Sequence, residues 1–492
     1  MRGNVASGDL TPDVASGDLT PFVASGDLTP RRAAVLLAAV MAVSLATKLA
    51  FAWHFDGFLT GDDLEVVEAA LKYSSDFDYA PWSLRSLFHP VVLVAPLLRF
   101  AGWFGNLTPE CAVFLAAVPT AVFSTAAVAL LFVLARRLGL SFDVALAAAF
   151  LYAIHWLPWA YGGTPYPRPI STAFFLAALL LVSGESRFLL RGIAAGFLVA
   201  LACAARFSEG ILLLPLLGFA WFRTREPLVL AGVGGGFAAG ALLFLGLFDV
   251  LTWGEPFHSL REFVRIMFLD SPPSSVTGDK PLYHYVANVV RWTSPVHLAM
   301  ILLAIGDRRL RVPAAMIATI VVLLSLFRYK QYRYLQAAIP FVALAAAVGW
   351  DRLRRRLPRV AAMVFVVAAA YGAVASVLLL RGKSQPAVAA ARFIARMAPA
   401  PKAVALEQAW AYGERLYLRD VRIRDIDPRR PLDPAAVREA IAGADAAAFY
   451  VNDLGFDARR VLSWSGMRAA GIFHRPGGKP VVVFRRLSRR AA

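Results

Sequence analysis

Cysteine is nearly missing. Cys111 and Cys203 are the two in 492 residues, and both fall inside apolar stretches. That excludes a disulfide-stapled scaffold and a cysteine-built metal centre. Acidic residues are scarce too, 33 against 51 lysines and arginines, for a net charge of +18. In a soluble chain such an excess of base would suggest nucleic acid. Here the arginines sit between apolar runs, where positive-inside bias predicts them, so no nucleic-acid partner is expected. Few charges fall deep within the apolar runs, and the two halves show no convincing internal repeat. Both features weigh against a transporter. The last 110 or so residues carry neither a glycine-rich phosphate loop nor a metal-ligand spacing.

What the chain has in abundance is apolar sequence. It is 59% hydrophobic, with a mean hydropathy of +0.59. Runs of about 20 apolar residues recur, the length a helix needs to cross the hydrocarbon. The sequence predicts an all-α polytopic membrane protein with about eleven transmembrane helices. A small C-terminal α/β domain outside the cytoplasm completes it.

Three regions are expected. Residues 1–30 hold VASGDLTP three times, at 5–12, 14–21 and 23–30, and read as a disordered repeat tail. Residues 31–380 form the membrane domain. Residues 381–492 change composition and alternate strand-like runs (KAVALE, AAAFYVND, KPVVVFRRL) with a helical PAAVREAIAG. A signal peptide ending at Ala50-Phe51-Ala52 is the weaker reading of the first apolar run, which is longer than a usual signal core.

The arginines fix an orientation. Arg31 and Arg32 place the N-terminus in the cytoplasm, and residues 54–88 then lie outside. Residues 89–104 hold two prolines and Arg99 and read as a helix lying on the outer surface. Treating them as a full span would put Arg136, Arg137 and the run RLRRRLPR on the disfavoured side. The remaining outer basics are exceptions: Arg85, Arg168, Arg206, Arg265, Arg291, Arg328, Lys330 and Arg333. Basic residues left on the disfavoured side point to an anionic ligand. The Arg- and Ala-rich composition suggests a bacterial plasma membrane.

Several outer constellations suit chemistry. After the first span comes TGDDLEVVE, with Asp62, Asp63 and Glu65. A sugar leaving as a phosphate ester needs little acid catalysis. It needs one carboxylate to take the proton of the incoming hydroxyl. The same residues would also cap the helix LEVVEAALKY, and a carboxylate pair suits a divalent cation. Arg85 and His89 in WSLRSLFHP share a face if helical and suit a phosphate or sugar, or an interfacial anchor. Arg206 and Glu209 in RFSEG stand at i, i+3 and suit a mutual pair. His284 and the aromatics of PLYHYV suit sugar stacking or an aromatic belt. Lys330 and Arg333 in FRYKQYRYLQAAIP, flanked by Tyr329, Tyr332 and Tyr334, suit a clamp for lipid phosphate or snorkelling to headgroups.

Together these stretches resemble the GT-C glycosyltransferases, and most closely glycosyltransferase family 22. That family comprises the mannosyltransferases of GPI-anchor and lipid-linked oligosaccharide assembly. The family's HPDE-type motif, arginine-serine-aromatic-x-proline stretch, D-x-x-x-Y-G loop, P-x-H-Y segment and HKE-x-R-F motif have counterparts in the same order. Here they read TGDDLEVVE, LRSLFHP, DVLTWGEPF, KPLYHYV and YKQYRYLQAAIP.

The resemblance implies a membrane hexosyltransferase that moves mannose, with inversion, from a polyprenyl-phosphate donor. The acceptor is a lipid- or protein-linked glycan. It implies Asp62 as base with Asp63 orienting, and Lys330 and Arg333 on the donor phosphate, where Arg85 is expected to join them. His89, Arg206, Glu209, His284, Tyr285 and Tyr334 are expected to contact substrate. Such a donor makes a metal dispensable, so no cofactor is expected. The chain departs from the pattern where His-Pro-Asp-Glu becomes Thr60-Gly61-Asp62-Asp63. Tyr329 and Gln331 replace the late histidine and glutamate. A lipid-linked-sugar flippase and an inactive scaffold of the same shape are the alternatives.

Overall fold

The computed structural model describes residues 28–486 apart from 56–57, 106, 185, 271–279, 381–384, 427–431 and 475–478. The repeat tail up to residue 27 lies outside the described residues.

The first span, α1 (Pro30–His54), starts where the sequence supplies a cap. Thr29 Oγ1 accepts from Arg32 N at 3.4 Å, and Pro30 occupies the first helical position. Among the described residues, six helices are long and apolar enough to cross a bilayer. They are α1, Pro109–Arg137, Phe188–Ala205, Pro227–Trp253, Tyr332–Arg356 and Pro358–Ala375. A seventh span results if Phe142–Ile154 and Trp156–Gly162, bent by 57°, count as one. His155 makes that bend. It leaves helical backbone, and its Nδ1 accepts from Leu157 N at 3.2 Å, restarting the helix.

The other apolar runs make shorter helices such as Arg168–Val182, Leu213–Thr224 and Pro295–Leu303. Two have visible causes. Arg168–Val182 begins only after Pro165 and Pro167, with Pro169 in its first turn. Leu213–Thr224 follows a 3₁₀ turn, Phe207–Leu212. Irregular backbone at such depth is tolerated where it borders protein or a cavity rather than lipid.

Small residues set the tightest helix contact. Gly192 and Gly196 meet Gly232 and Gly236 of Pro227–Trp253, and side chains there would land on the carbonyls of Val229, Val233, Leu189 and Ile193. Four-residue spacing of glycine on both helices is how helices approach closely in lipid, where no hydrophobic force drives them together.

Tyr332–Arg356 is the enclosed centre, 89% buried over its apolar window. It begins as a 3₁₀ turn carrying Arg333. It ends in an ionic knot, where Asp351 takes Arg309 at 2.7 Å and Arg355 at 3.1 Å, and Arg354 bridges to Asp143. Polar clusters therefore sit at both ends of the central helix, and the cavity lies at its N-terminal end.

The C-terminal region holds a five-stranded sheet in the order β2-β1-β3-β5-β4: β1 Ala403–Glu407, β2 Arg422–Ile426, β3 Ala446–Tyr450, β4 Met467–Phe473 and β5 Val481–Arg486. β1 pairs in parallel with β2 and β3, and β5 runs antiparallel to β3 and β4. The sheet domain docks on α2 (Gly61–Ser74), the helix bearing the acidic cluster. Val388 and Leu416 join Leu64, Val67 and Leu71 in one apolar cluster. Arg392 pairs with Glu110 at 2.5 Å, and Arg415 lies over Tyr79.

Candidate active site

A cavity of about 340 Å³ opens beside α2. The helix explains its own placement. Leu64, Val67 and Leu71 form an apolar stripe against the sheet domain. Asp62, Glu65, Val66 and Ala69, at helical spacing on another face, line the cavity. Polar residues from four further segments complete the wall: Arg85 and His89, Arg168, Arg206, and Arg328 with Tyr329 and Tyr334.

Asp62 is the electrostatic centre. Its Oδ1 meets Arg85 at 2.7 Å, and its Oδ2 meets Arg206 at 3.0 Å and Arg333 at 3.2 Å. Burial alone would raise this carboxyl. The guanidiniums of Arg206, Arg85 and Arg333 together outweigh burial and hold it well below the usual carboxylate range. Arg85 also reaches Glu65, with Nε 2.5 Å from Oε2. Burial raises the Glu65 carboxyl against the pull of Arg85.

Each arginine has a local reason for its position. Arg206 ends the helix Phe188–Ala205 in extended backbone, which swings its side chain off the helix axis. Arg85 sits in a turn closed by Arg85 N to Trp82 O at 3.0 Å, and the helix begins only at His89. The helical face expected for Arg85 and His89 therefore does not form, yet both reach the cavity. Ser86 Oγ bonds to the Ala204 carbonyl and ties this turn to the Arg206 helix end. His89 is buried, and neither ring nitrogen finds a partner among the described residues. Arg333 is buried behind the wall and reaches Asp62 from there, with Tyr166 and Tyr334 against its guanidinium.

Other predicted residues lie elsewhere. Asp63 is fully buried, and its Oδ2 accepts from Leu59 N at 2.9 Å and Thr60 N at 3.0 Å. It therefore caps α2, and burial pushes its carboxyl up to about 7 against the charge of Arg333. Glu209 pairs with the buried Arg168 and not with Arg206. Lys330 donates to the carbonyls of Lys280 at 2.9 Å and Phe327 at 2.5 Å, and so braces the backbone beside the site.

Tyr285 donates to the Gln331 carbonyl at 3.1 Å, and His284 stacks on Tyr332, so both support the late motif from outside. Asp249 of DVLTWGEPF is buried and accepts from Ser259 N at 2.8 Å and Oγ at 2.6 Å, which fixes the helix His258–Val264. Sequence reasoning did not assign Tyr166 to the site. It flagged Arg168 and Arg328 only as basics on the disfavoured side.

No group of three or more metal-ligating side chains occurs among the described residues. The site is a cationic cradle around two carboxylates, suited to an anion with a polar group beside it.

Among curated protein sequences none matches this chain. The fold has known counterparts. ArnT from Cupriavidus metallidurans in the apo state superposes with a TM-score of 0.61 at 14% identity, covering 92% of this chain and 98% of that one. The same enzyme bound to undecaprenyl phosphate gives 0.57 at 15% identity, with the same coverage. Arabinofuranosyltransferase AftD from Mycobacteria gives 0.52 at 16% identity, covering 94% of this chain and 40% of that one. The neighbours are GT-C glycosyltransferases. Residues 69–399, well over half the chain, match the Alg9-like mannosyltransferase family. With that match covering the central helix and every cavity-lining residue except Asp62, Glu65 and Val66, this multi-pass membrane protein belongs to the Alg9-like mannosyltransferase family.

Proposed function

We propose that this protein transfers a mannosyl residue, with inversion, from a polyprenyl-phosphate donor to a lipid- or protein-linked glycan acceptor. The transfer takes place on the extracytoplasmic face of a bacterial plasma membrane. One observation carries the reading. Arginines from three distant segments, Arg85, Arg206 and Arg333, converge on one carboxylate at a cavity beside the membrane bundle.

The chemistry follows from the charges. A phosphodiester donor is an anion, and guanidiniums bind phosphate oxygens in bidentate fashion. Arg85 and Arg206 stand in the wall to receive it, and Arg328 stands with them. Donor phosphate competes with Asp62 for these arginines, so the cradle is preorganised before the ligand arrives. His89 and the tyrosines supply apolar faces and polar tips suited to a sugar. A carboxylate on α2 accepts the proton of the incoming hydroxyl. Undecaprenyl phosphate, held by one structural neighbour, is a lipid carrier of the class that the proposed donor releases once its sugar has been transferred. No metal enters the proposed reaction.

The test is transfer from radiolabelled polyprenyl-phosphate mannose by membranes containing the wild-type chain or Asp62→Asn. The expected result is label in a new lipid or protein product with the wild type, and loss of transfer in the variant. Unchanged transfer by Asp62→Asn would remove Asp62 from the reaction. No transfer by the wild type to any membrane acceptor would overturn the reading.

A further inference from the structure

Two carboxylates line the cavity from α2, and they are held differently. Asp62 gives both oxygens to guanidiniums, through three ion pairs. A proton reaches it only by displacing one of them. Glu65 lies one helical turn on, on the same face. It makes one ion pair, from Oε2 to Arg85, and its side chain is more open, 17% exposed against 10%. We infer that Glu65, rather than Asp62, takes the proton of the acceptor hydroxyl, while Asp62 stays ionised and holds the arginines in place. This rests on the transfer reading above.

The step balances. The acceptor oxygen bonds to the anomeric carbon. The bond from that carbon to the phosphate oxygen breaks, and its electron pair leaves with the phosphate. The donor diester carries one negative charge and the departing polyprenyl phosphate carries two. The hydroxyl proton passes to Glu65, so the cavity gains one positive charge as the leaving group gains one negative charge. Arg85 couples the two events. It bridges Glu65 and Asp62, and protonation of Glu65 weakens the Nε contact, which turns that edge of the guanidinium toward the new phosphate charge.

The surroundings of Glu65 agree with this role. Arg85 and Arg206 act on it from other segments of the cavity wall, Asp62 and Glu68 from its own helix, and Tyr79 from the cavity lining. Burial raises its carboxyl, Arg85 opposes, and the negative Asp62 adds to the rise. A general base works best when its pKa approaches the working pH, and the three arginines deny that to Asp62.

A merely structural Glu65 would only tether Arg85, and Glu65→Gln keeps an oxygen for that purpose. The expected result is a loss of turnover of about 10²–10⁴-fold in Glu65→Gln, with binding of polyprenyl-phosphate sugar within about threefold of wild type. Glu65→Asp retains part of the rate, with a shifted acid limb in the pH–rate profile. Formate restores turnover to Glu65→Ala and not to Asp62→Ala. The inference is overturned if Glu65→Gln transfers within about tenfold of wild type, if it loses donor binding as steeply as turnover, or if formate restores Asp62→Ala instead. A wild type that binds or transfers no polyprenyl-phosphate sugar would remove the transfer reading, and this inference with it.

Discussion

The indole of Trp410 rests on the Cα of Gly61, the residue before Asp62, so closely that a Cβ at position 61 would overlap the ring. Through this contact the C-terminal domain presses on the helix end that carries the cavity carboxylates. Gly61→Ala should therefore act against its own helix propensity. Alanine favours a helix over glycine by about 0.5–1 kcal/mol, whereas overpacking costs about 1–3 kcal/mol. The expected net effect is a lower melting temperature in detergent and reduced transfer. Trp410 is half-exposed, 48%, so Trp410→Ala alone should cost little. The double variant should recover most of the loss, read as a coupling energy in a double-mutant cycle.

A second prediction concerns the buried pair beside the cavity. Arg168 and Glu209 are 1% and 3% exposed at the side chain. Glu209→Gln leaves a guanidinium buried without its counter-charge, although Tyr166 Oη at 3.0 Å and Ser208 Oγ at 2.8 Å still accept from it. Breaking one side of such a pair costs about 3–5 kcal/mol. Thermal unfolding should show that drop. Removing both charges together, with Arg168→Met added, should restore part of the stability while leaving transfer impaired, since Arg168 also lines the cavity.

The donor cradle can be probed without removing charge. Arg206→Lys keeps the positive charge but loses the planar fork. Donor affinity should fall about tenfold, corresponding to loss of roughly one charge-assisted hydrogen bond, while the fold is kept. Isothermal titration or competition with undecaprenyl phosphate would measure it. Affinity equal to wild type would place the phosphate away from Arg206.

Much of this site was legible in the sequence because isolated charges between apolar runs are conspicuous. Arg85 and Arg206 stood out as basics on the side that positive-inside bias disfavours, Asp62 as part of an acidic cluster after the first apolar run, and each lies in the cavity wall. Partners were harder to read. Glu209 was paired on paper with Arg206, three residues away, but the extended backbone at Arg206 turns its side chain away, and Glu209 meets Arg168, which lies 41 residues earlier.

Lys330 and Arg333 looked like one clamp. The 3₁₀ turn Tyr332–Ala338 starts between them, so Arg333 points to Asp62 and Lys330 to backbone carbonyls. Asp63 is expected from the sequence to orient Asp62 at the site, yet neighbours on a helix differ in direction by about 100°, and Asp63 turns back to cap. In the sheet, β1, β3 and β5 show apolar runs. β2 reads RIRDI, a charged edge that hides its strand pattern.

The last prediction concerns pH and the joint between the two parts of the molecule. Glu68 is one further turn along α2, 5% exposed, and its Oε1 finds no partner among the described residues. Burial, and then the neighbouring Glu414 of the sheet domain, push its carboxyl from 4.5 up to about 8, while Arg415 pulls the other way and Glu65 adds to the rise. The folded state therefore binds this proton more tightly than the unfolded chain does. Glu68 contributes its full stability below pH 4.5, and that contribution is lost as pH climbs through about 8.

Docking of the sheet domain on α2 should accordingly loosen between these limits, with Glu68 and Glu414 repelling each other once both are ionised. Melting curves collected across this range should show stability falling with rising pH in the wild type. Glu68→Gln keeps the shape and cannot ionise, so its slope should be flatter and its stability at pH 8 higher than that of wild type. Parallel slopes for the two proteins would mean that Glu68 is already ionised at neutral pH and that Arg415 satisfies it.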